Sequence, residues 1–347
     1  MIKRLGSTFE SLKEQPLKGV IFFVLLVAGL LNGASSTISV EIAHNMFAPR
    51  SGEFTDRIVS VLAFLAVGVV AQAVWGLPSF LKPKKRDEFD KAKWWIMHRN
   101  AFLSAVAAAA AVCLFLYVYQ TSTSTIAVPI NAVLPLIIIA LGDVLIRKLV
   151  KVGALLLPLL CALLGLGLIS MRSGNITDIG FEAIALLAAS AVFWAFREHL
   201  DQIGRTSTDS VEYANLRMIY LAVVGVIFAI VATAVLGRFT QFVNIIVDKV
   251  FSLQGAVEIW GVVLILTQQF FGWVNNHLIT WAKVFRPVTV VGVVNASVGS
   301  ITGFALGYLF LQEVRSEVIL LNILGLAFLV GATILVPKHE PEKDVTA

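Results

Sequence analysis

The side chains best suited to chemistry in this chain are amides and hydroxyls that lie deep inside long apolar runs of sequence. In hydrocarbon such groups must find hydrogen-bonding partners. Interhelical hydrogen bonds would explain each of them singly, but their concentration on four runs favours a pathway for a small polar solute, either uncharged or zwitterionic. The candidate residues are Asn32, Ser35 and Ser36 in the first run, Asn131 in the fourth, Gln268 and Gln269 in the eighth, and Asn295, Ser297 and Ser300 in the ninth.

Asn131 is the strongest single candidate because it lies between Pro129 and Pro135. A proline has no N–H to donate to the carbonyl one turn back, so Pro135 leaves the Asn131 carbonyl free. The Asn131 amide adds both a donor and an acceptor. Gln268 and Gln269 point about 100° apart on a helix, so we predict that at most one of them faces the pathway.

Motifs for other chemistry are absent from the sequence. It contains no H-E-x-x-H, C-x-x-C, P-loop or G-x-S-x-G pattern, and its five histidines are scattered. The two cysteines, Cys113 and Cys161, lie in apolar runs and are typical of small core residues. We therefore expect no catalytic residue, no metal site and no cofactor, and an intramembrane enzyme is the weakest functional class.

The composition sets the class of protein that must position these groups. Of 347 residues, 58% are hydrophobic and only 14% are charged, against about 25% in an average soluble domain. The mean hydropathy is +0.87. These values exclude a soluble globular enzyme, a disordered chain, a coiled coil and a disulfide scaffold. They leave an all-α polytopic membrane protein, in which each spanning helix needs about 20 apolar residues.

Apolar runs bounded by charges predict ten transmembrane helices. Their limits are 19–41, 57–80, 98–120, 124–146, 152–170, 179–198, 216–237, 255–281, 287–311 and 317–336. The amphipathic stretch Arg238–Leu253 between the seventh and eighth runs is predicted to lie along the outer membrane surface as an interfacial helix.

The distribution of Lys and Arg predicts the orientation. With the N-terminus inside, 21 of the 27 basic residues fall on the inner side and six on the outer side. This bias predicts an integral multi-pass protein of a bacterial-type inner (plasma) membrane, with both termini cytoplasmic, and it gives no reason to expect nucleic acid as a partner. Membrane lipid is expected around the spans. Arg197 and Glu198, at the inner end of the sixth span, are interpreted as charges at the membrane edge.

The spans divide into two halves, residues 1–175 and 176–347. Five spans is an odd number, so the halves have opposite orientations, and an offset of 165 residues places Ala140-Leu141-Gly142 on Ala305-Leu306-Gly307. We therefore predict two inverted five-helix repeats, an arrangement that puts a binding site near the midplane and permits alternating access.

A regular stripe of glycines marks the ninth span. Gly299, Gly303 and Gly307 recur every four residues and so share one helix face, which lets another helix approach closely. The stripe is a candidate homodimer face, and packing inside the monomer is the alternative that we favour.

The end of the sequence carries a family resemblance. In the stretch 285–336, a small-residue and leucine run is followed by Glu313 and a short turn, and then by a helix with Gly325 and Gly331. In the first half Pro129, Pro135 and Gly142 fit the same pattern, whereas Lys148 stands where the glutamate would be. With ten spans in two halves, the chain resembles the drug/metabolite transporter superfamily, in particular its EamA-type permeases.

The resemblance implies a permease whose first, third and fourth spans of each half surround a central cavity. Those spans carry the candidate amides and hydroxyls, and Trp194 and Trp273 are candidates for its apolar walls. The favoured function is secondary transport of a small polar metabolite, such as an amino acid or a related compound, by alternating access. The alternatives are a non-transporting membrane scaffold and a lipid-handling, flippase-like protein.

Overall fold

The computed structural model describes residues 2–49, 53–80, 91–145, 153–169, 181–205, 210–252, 256–285, 288–311 and 318–335. Within these ranges the chain is helical, without a β-strand, so the all-α prediction is confirmed. The helices are α1 (Ile2–Asn45), α2 (Phe54–Phe80), α3 (Lys91–Tyr119), α4 (Ser124–Leu145), α5 (Gly153–Ile169), α6 (Phe181–Arg205), α7 (Ser210–Val235), α8 (Phe239–Ile246), α9 (Ala256–Phe285), α10 (Val288–Leu309) and α11 (Ile319–Leu335).

Ten of the eleven helices in the described ranges coincide with the ten predicted apolar runs. Among the described residues, six helical segments are long and apolar enough to cross a membrane, and they lie within α1, α2, α3, α6, α7 and α10. Apolar segments of α4, α5 and α11 are shorter, at 10–17 residues. Helix α9 has 30 residues but carries two glutamines and two asparagines in its central and later turns, which lower its hydropathy.

Several helices extend beyond the apolar runs that predicted them. Helix α3 begins at Lys91 where the run begins at 98, and α6 ends at Arg205 where the run ends at 198. An apolar run marks the thickness of the hydrocarbon core, whereas a helix continues into polar sequence for as long as its residues favour helix. The predicted motif position Glu313 and most of the basic loop 82–93 lie outside the described residues.

The segment after α7 turns back along the surface of the bundle. Gly237 has a φ of +66°, and the hydrogen bonds from Gly237 N to Ala234 O (3.0 Å) and from Arg238 N to Thr233 O (2.8 Å) form a Schellman cap. Helix α8 and the π-helical turn Val247–Phe251 follow. Together they have thirteen residues and span about 20 Å, too short to cross a 30 Å hydrocarbon core.

Helix α8 is buried on one face and exposed on the other. Phe242 and Ile245 are buried, and α8 packs on α2, while Phe239, Val247 and Phe251 remain exposed. The side chain of Gln241 donates to Asp56 of α2 at 3.0 Å, which fixes the helix against the bundle. The exposed apolar side chains suit a surface segment at a membrane interface.

The long helices pack in a set of pairs around a common core. Helix α3 packs along α6 and α7, and helix α1 packs along α9 and α10. Helix α2 packs on α7, α4 on α10, and α5 on α11, while α4 also contacts α6 and α2 contacts α9. The main apolar core draws on most of these helices.

Glycines allow the closest of these helix crossings. A Cβ added at Gly33 of α1 would lie 2.6 Å from Gly299 O, and one added at Gly303 of α10 would lie 2.4 Å from Val128 Cγ1 of α4. The first two glycines of the predicted stripe therefore pack against helices of the same chain. The α5–α11 crossing is similar, because a Cβ at Gly325 would lie 2.6 Å from Ile169 N.

Candidate functional site

A cavity of about 310 Å³ lies at the centre of the helix bundle. Side chains of α1, α2, α3, α4, α6, α7, α9 and α10 line it. Its volume is at the lower end of the range typical of small-molecule sites, about 300–1,000 Å³.

Helices α1 and α9, which pack together, give the cavity a polar wall. Ser35 Oγ donates to Gln268 O at 3.1 Å and accepts from Gln268 Nε2 at 3.2 Å, so one serine joins the two helices. Gln269 Nε2 donates to Gln268 Oε1. Two turns further along α9, Asn275 Nδ2 lies 3.5 Å from Asn32 Oδ1, a long and weak contact.

Asn131 and Asn295 contribute amides from α4 and α10. Asn131 Nδ2 lies 3.4 Å from the Tyr119 hydroxyl, which also interacts with Ser36. Within the described part of the chain, the side-chain oxygens of Asn131, Asn275 and Asn295 are buried and have no hydrogen-bonding partner. A buried acceptor without a partner costs about 1–3 kcal/mol. The χ2 angle of asparagine is loosely restrained, so each amide can turn either its oxygen or its nitrogen toward a bound solute.

The opposite wall is apolar and comes mainly from α3 and α6, which also pack together. Ala108, Val112 and Phe115 of α3 line the cavity, together with Trp194 of α6. The Phe115 and Trp194 rings stack with centroids 6.3 Å apart and planes 16° apart. This wall offers a solute mainly apolar surface and aromatic rings.

One end of the cavity, the charged end, carries Arg197 and Glu198 of α6, Arg217 of α7 and Asn276 of α9. The Arg197 guanidinium lies over the Trp194 ring, 4.5 Å from its centroid, which is a cation–π geometry. Arg197 Nη2 and Arg217 Nη2 lie 3.5 and 3.3 Å from the same atom, Asn276 Oδ1. The two guanidinium groups therefore converge on one point beside the cavity.

A carboxylate behind the charged end holds the two arginines. Asp201 is fully buried, pairs with Arg217, and lies 3.4 Å from Arg197 Nε. Ser104 Oγ and the Tyr213 hydroxyl donate to its other oxygen at 2.5 and 3.2 Å. Because its donors come from α3 and α7, this carboxylate of α6 joins three helices.

The other end of the cavity is closed by packed side chains. Tyr119 and Phe47 are buried, and the Phe47 ring stacks on Phe64 with centroids 5.1 Å apart. Gln120 Nε2 donates to Phe47 O at 3.0 Å, which joins α3 to the end of α1. The partly exposed side chains of Arg197 and Glu198 lie at the opposite, charged end.

The structure brings eight of the ten candidate residues to the cavity. They are Asn32, Ser35, Ser36, Asn131, Trp194, Gln268, Gln269 and Asn295. Both glutamines line it, contrary to the prediction that at most one would do so. Their mutual hydrogen bond draws the two amides together, and Gly68 of α2 leaves room, since a Cβ there would lie 3.0 Å from Gln269 Nε2.

Two candidates lie away from the cavity. Ser297 faces α11, where its hydroxyl lies 2.6 Å from Thr333 Oγ1. Ser300 is fully buried, and its Oγ donates to Ala296 O of the same helix at 2.7 Å. Both placements are corrections, and the reason is that α10 turns Gly292, Asn295 and Ala296 toward the cavity while its other faces pack on neighbouring helices. Trp273, a candidate wall residue, instead stacks on Phe270.

The charged end is the part of the site that sequence reasoning misses. The apolar runs place Arg197 and Glu198 at the membrane edge, and they place Arg217 among the basic residues of the inner side. The available signal is the spacing of Arg197 and Asp201, four residues apart on one helix face. Arg217, at the start of the seventh apolar run, is a second basic residue that can pair with Asp201.

No protein-family model matches the chain, and a search of curated proteins finds no match to it.

Proposed function

We propose that this protein is a secondary transporter that moves a small polar metabolite, an amino acid or a related compound, by alternating access. The observation that carries the proposal is the central cavity, in which amides from several helices surround a volume suited to one small solute. Three of these amides have buried oxygens without a partner, an arrangement that lowers stability and is better explained by solute binding than by packing.

The proposed architecture is ten spans in two inverted five-helix halves, as in the drug/metabolite transporters that the chain resembles. The helix pairs support it. If α6 corresponds to α1 and α9 to α3, the α3–α6 pair matches the α9–α1 pair. In the same way the α4–α6 pair matches the α10–α1 pair. The pairs α2–α7, α4–α10 and α5–α11 each join a helix to its own counterpart in the other half.

The cavity lining follows the same correspondence. At the offset of 165 residues that relates the two halves, Asn131 of α4 falls on Ala296 of α10, next to Asn295, and all three residues line the cavity. Asparagines at neighbouring positions of corresponding helices around one cavity are consistent with an inverted repeat and its pseudo-two-fold axis.

The sidedness of the cavity follows from the charge bias of the sequence. The charged end lies on the side that holds most of the basic residues, which we assign to the cytoplasm of a plasma membrane with both termini inside. The Tyr119 end is closed by buried side chains. The proposed state therefore opens toward the cytoplasm.

The alternative functions predict different interiors. A non-transporting scaffold gains stability from apolar packing at its centre, where this chain has a cavity and unpaired amide oxygens. A lipid-handling protein needs apolar surface for acyl chains along its pathway, whereas this cavity is polar on the side formed by α1 and α9 and carries charged side chains at one end.

Solute counterflow into proteoliposomes tests the proposal. Vesicles loaded with a mixture of amino acids and related metabolites should take up labelled solute only when they contain the protein. Asn131→Ala and Gln268→Ala each remove a hydrogen-bonding group from the cavity, and a loss of about 1.4 kcal/mol lowers binding tenfold. Both variants should remain folded, although Gln268→Ala should lose some stability because Ser35 Oγ and Gln269 Nε2 each lose a hydrogen-bonding partner.

Asn244→Ala is the matched control, because Asn244 is an exposed amide on α8, remote from the cavity. Its counterflow should equal that of the wild type. Transport by Asn131→Ala and Gln268→Ala at the wild-type rate, or failure of both to fold, would make these amides structural.

A further inference from the structure

The charged end contains a ready position for a carboxylate. Asn276 Oδ1, where the guanidinium groups of Arg197 and Arg217 converge, is a neutral oxygen that lies 3.5 and 3.3 Å from them. Hydrogen bonds between guanidinium and carboxylate are shorter, about 2.7–2.9 Å, and about twice as strong as those to a neutral acceptor. A solute carboxylate displacing the Asn276 amide would therefore gain two charge-assisted bonds.

The charge balance of this end favours a solute that also carries a cation. Arg197 and Arg217 contribute two positive charges, and Glu198 and Asp201 contribute two negative charges. A simple carboxylate would leave one uncompensated negative charge in a low-dielectric site, which is costly. A zwitterion adds no net charge, and Glu198 and the amide oxygens of α1 and α9 are acceptors for its ammonium group.

The two walls of the cavity come from equivalent helix pairs of the two halves but differ in chemical character. The α1–α9 pair presents serines, asparagines and glutamines. The equivalent α6–α3 pair presents Ala108, Val112, Phe115 and Trp194 before it reaches the charged end. A solute with polar groups on every side would place some of those groups against this apolar wall, where they would lack hydrogen-bonding partners.

We infer that the solute is an amphipathic zwitterion of the amino-acid type, with its carboxylate between Arg197 and Arg217 at Asn276 and an apolar side group against Phe115 and Val112. The inference rests on the proposed function and makes its solute class specific. The cavity volume of about 310 Å³ suits one such molecule.

A binding panel separates the chemical features of the solute. The wild-type protein in nanodiscs is tested with phenylalanine, with serine, which lacks the apolar group, with 3-phenylpropionate, which lacks the ammonium, and with 2-phenylethylamine, which lacks the carboxylate. Phenylalanine should bind at least about tenfold more tightly than each of the others, the effect of about 1.4 kcal/mol per feature. Equal binding of serine and phenylalanine would overturn the apolar contact.

Asn276→Asp tests the carboxylate position directly. The new side-chain carboxylate occupies the point of convergence, pairs with both arginines and repels a solute carboxylate. We expect a folded protein with at least a tenfold loss of phenylalanine binding. Its melting temperature should be somewhat below that of the wild type, because the added negative charge is uncompensated and the hydrogen bond from Asn276 Nδ2 to Gly272 O is lost. Asn244→Asp, an identical exchange at an exposed site, is the control. Wild-type binding by Asn276→Asp would overturn the proposed position.

Phe115→Ala tests the apolar wall, with Phe193→Ala as its control because Phe193 is an exposed aromatic outside the cavity on α6. Phe115→Ala should reduce the preference for phenylalanine over serine by about tenfold. An unchanged preference would contradict the contact.

The inference and the proposed function fail in different ways. Counterflow of other polar metabolites without binding of phenylalanine would overturn the inference and leave the transporter intact. Absence of counterflow for every solute, with folded protein in the vesicles, would overturn both.

Discussion

Asp201 shows how a single charged residue can hold a membrane site together. It is fully buried and accepts hydrogen bonds from Ser104 of α3 and Tyr213 of α7, and it pairs with Arg217. Because Asp201 and these partners come from three helices, the carboxylate fixes the ends of α3, α6 and α7 at the charged end relative to one another. The packed helices therefore hold the arginines of the charged end in place.

Asp201→Ala should destabilise the protein strongly. The substitution leaves Arg217 buried without its main counter-charge, and breaking a buried pair in this way costs about 3–5 kcal/mol. The expected result is a large fall in melting temperature in detergent, whereas Asp248→Ala, at an exposed position on the π-helical turn, should change little. A wild-type melting temperature for Asp201→Ala would show that the charged end is held by other contacts.

At the residue scale the sequence indicates which side chains are polar at depth, but not where each one points. Asn131 and Asn295 reach the cavity, while Ser297, two residues after Asn295, faces α11. The helix rotation that separates them is set by close glycine contacts between α10, α1 and α4, and these depend on the partners that each helix finds. The role of Arg197 is hidden for the same reason, because its contact with Asn276 forms only once α6 and α9 are packed.

Glycine contacts determine how closely the helices α1, α4 and α10 approach. A Cβ at Gly303 would lie 2.4 Å from Val128 Cγ1, a distance at which the Val128 side chain or one of the helices must shift. The ends of α4, Ser124–Leu145, agree closely with the predicted run, whereas α3 begins well before its run and α9 continues to Phe285. These extensions are not predictable, because hydropathy gives no signal where a helix leaves the membrane.

Gly303→Leu should separate α10 from α4 and lower the melting temperature. Overpacking of this kind costs about 1–3 kcal/mol. Gly331→Leu on α11 is the matched control, since a Cβ there would meet nothing within 4 Å. If Gly303→Leu were as stable as Gly331→Leu, the α4–α10 contact would be looser than the structure indicates.

For the whole molecule, composition and charge predict the class of protein and the orientation of its helices. Hydropathy identifies each run that is long enough to span a membrane, and the basic residues of the loops predict on which side of the membrane each loop lies. The pairing of α1 with α9 and of α3 with α6 has no such signal, because helix packing in a membrane depends on small residues and on local hydrogen bonds such as that from Ser35 to Gln268.

Cysteine labelling tests the orientation. In a chain with Cys113 and Cys161 replaced by alanine, single cysteines at Ser51 and Thr123 should react with an impermeant reagent added outside the cell. Cysteines at Asp87 and Thr208 should react only after the membrane is permeabilised. Outside labelling at Asp87 would reverse the assignment of the charged end to the cytoplasm.

Passage of solute through the central cavity is the property on which the proposed function most depends. Gly272 of α9 lines this cavity, and a Cβ there would lie 3.7 Å from Gln72 Nε2 and Ser35 Oγ, so a larger side chain can be added without a clash at its base. The phenyl ring of Gly272→Phe would fill the cavity. Gly167→Phe on α5 is the control, since a Cβ at Gly167 meets nothing within 4 Å.

The decisive measurement is the initial rate of solute counterflow into proteoliposomes that contain equal amounts of folded wild-type, Gly272→Phe and Gly167→Phe protein. Transport through the cavity predicts that Gly272→Phe falls to the rate of protein-free vesicles while Gly167→Phe matches the wild type. Counterflow by Gly272→Phe at the wild-type rate would contradict passage of solute through the cavity.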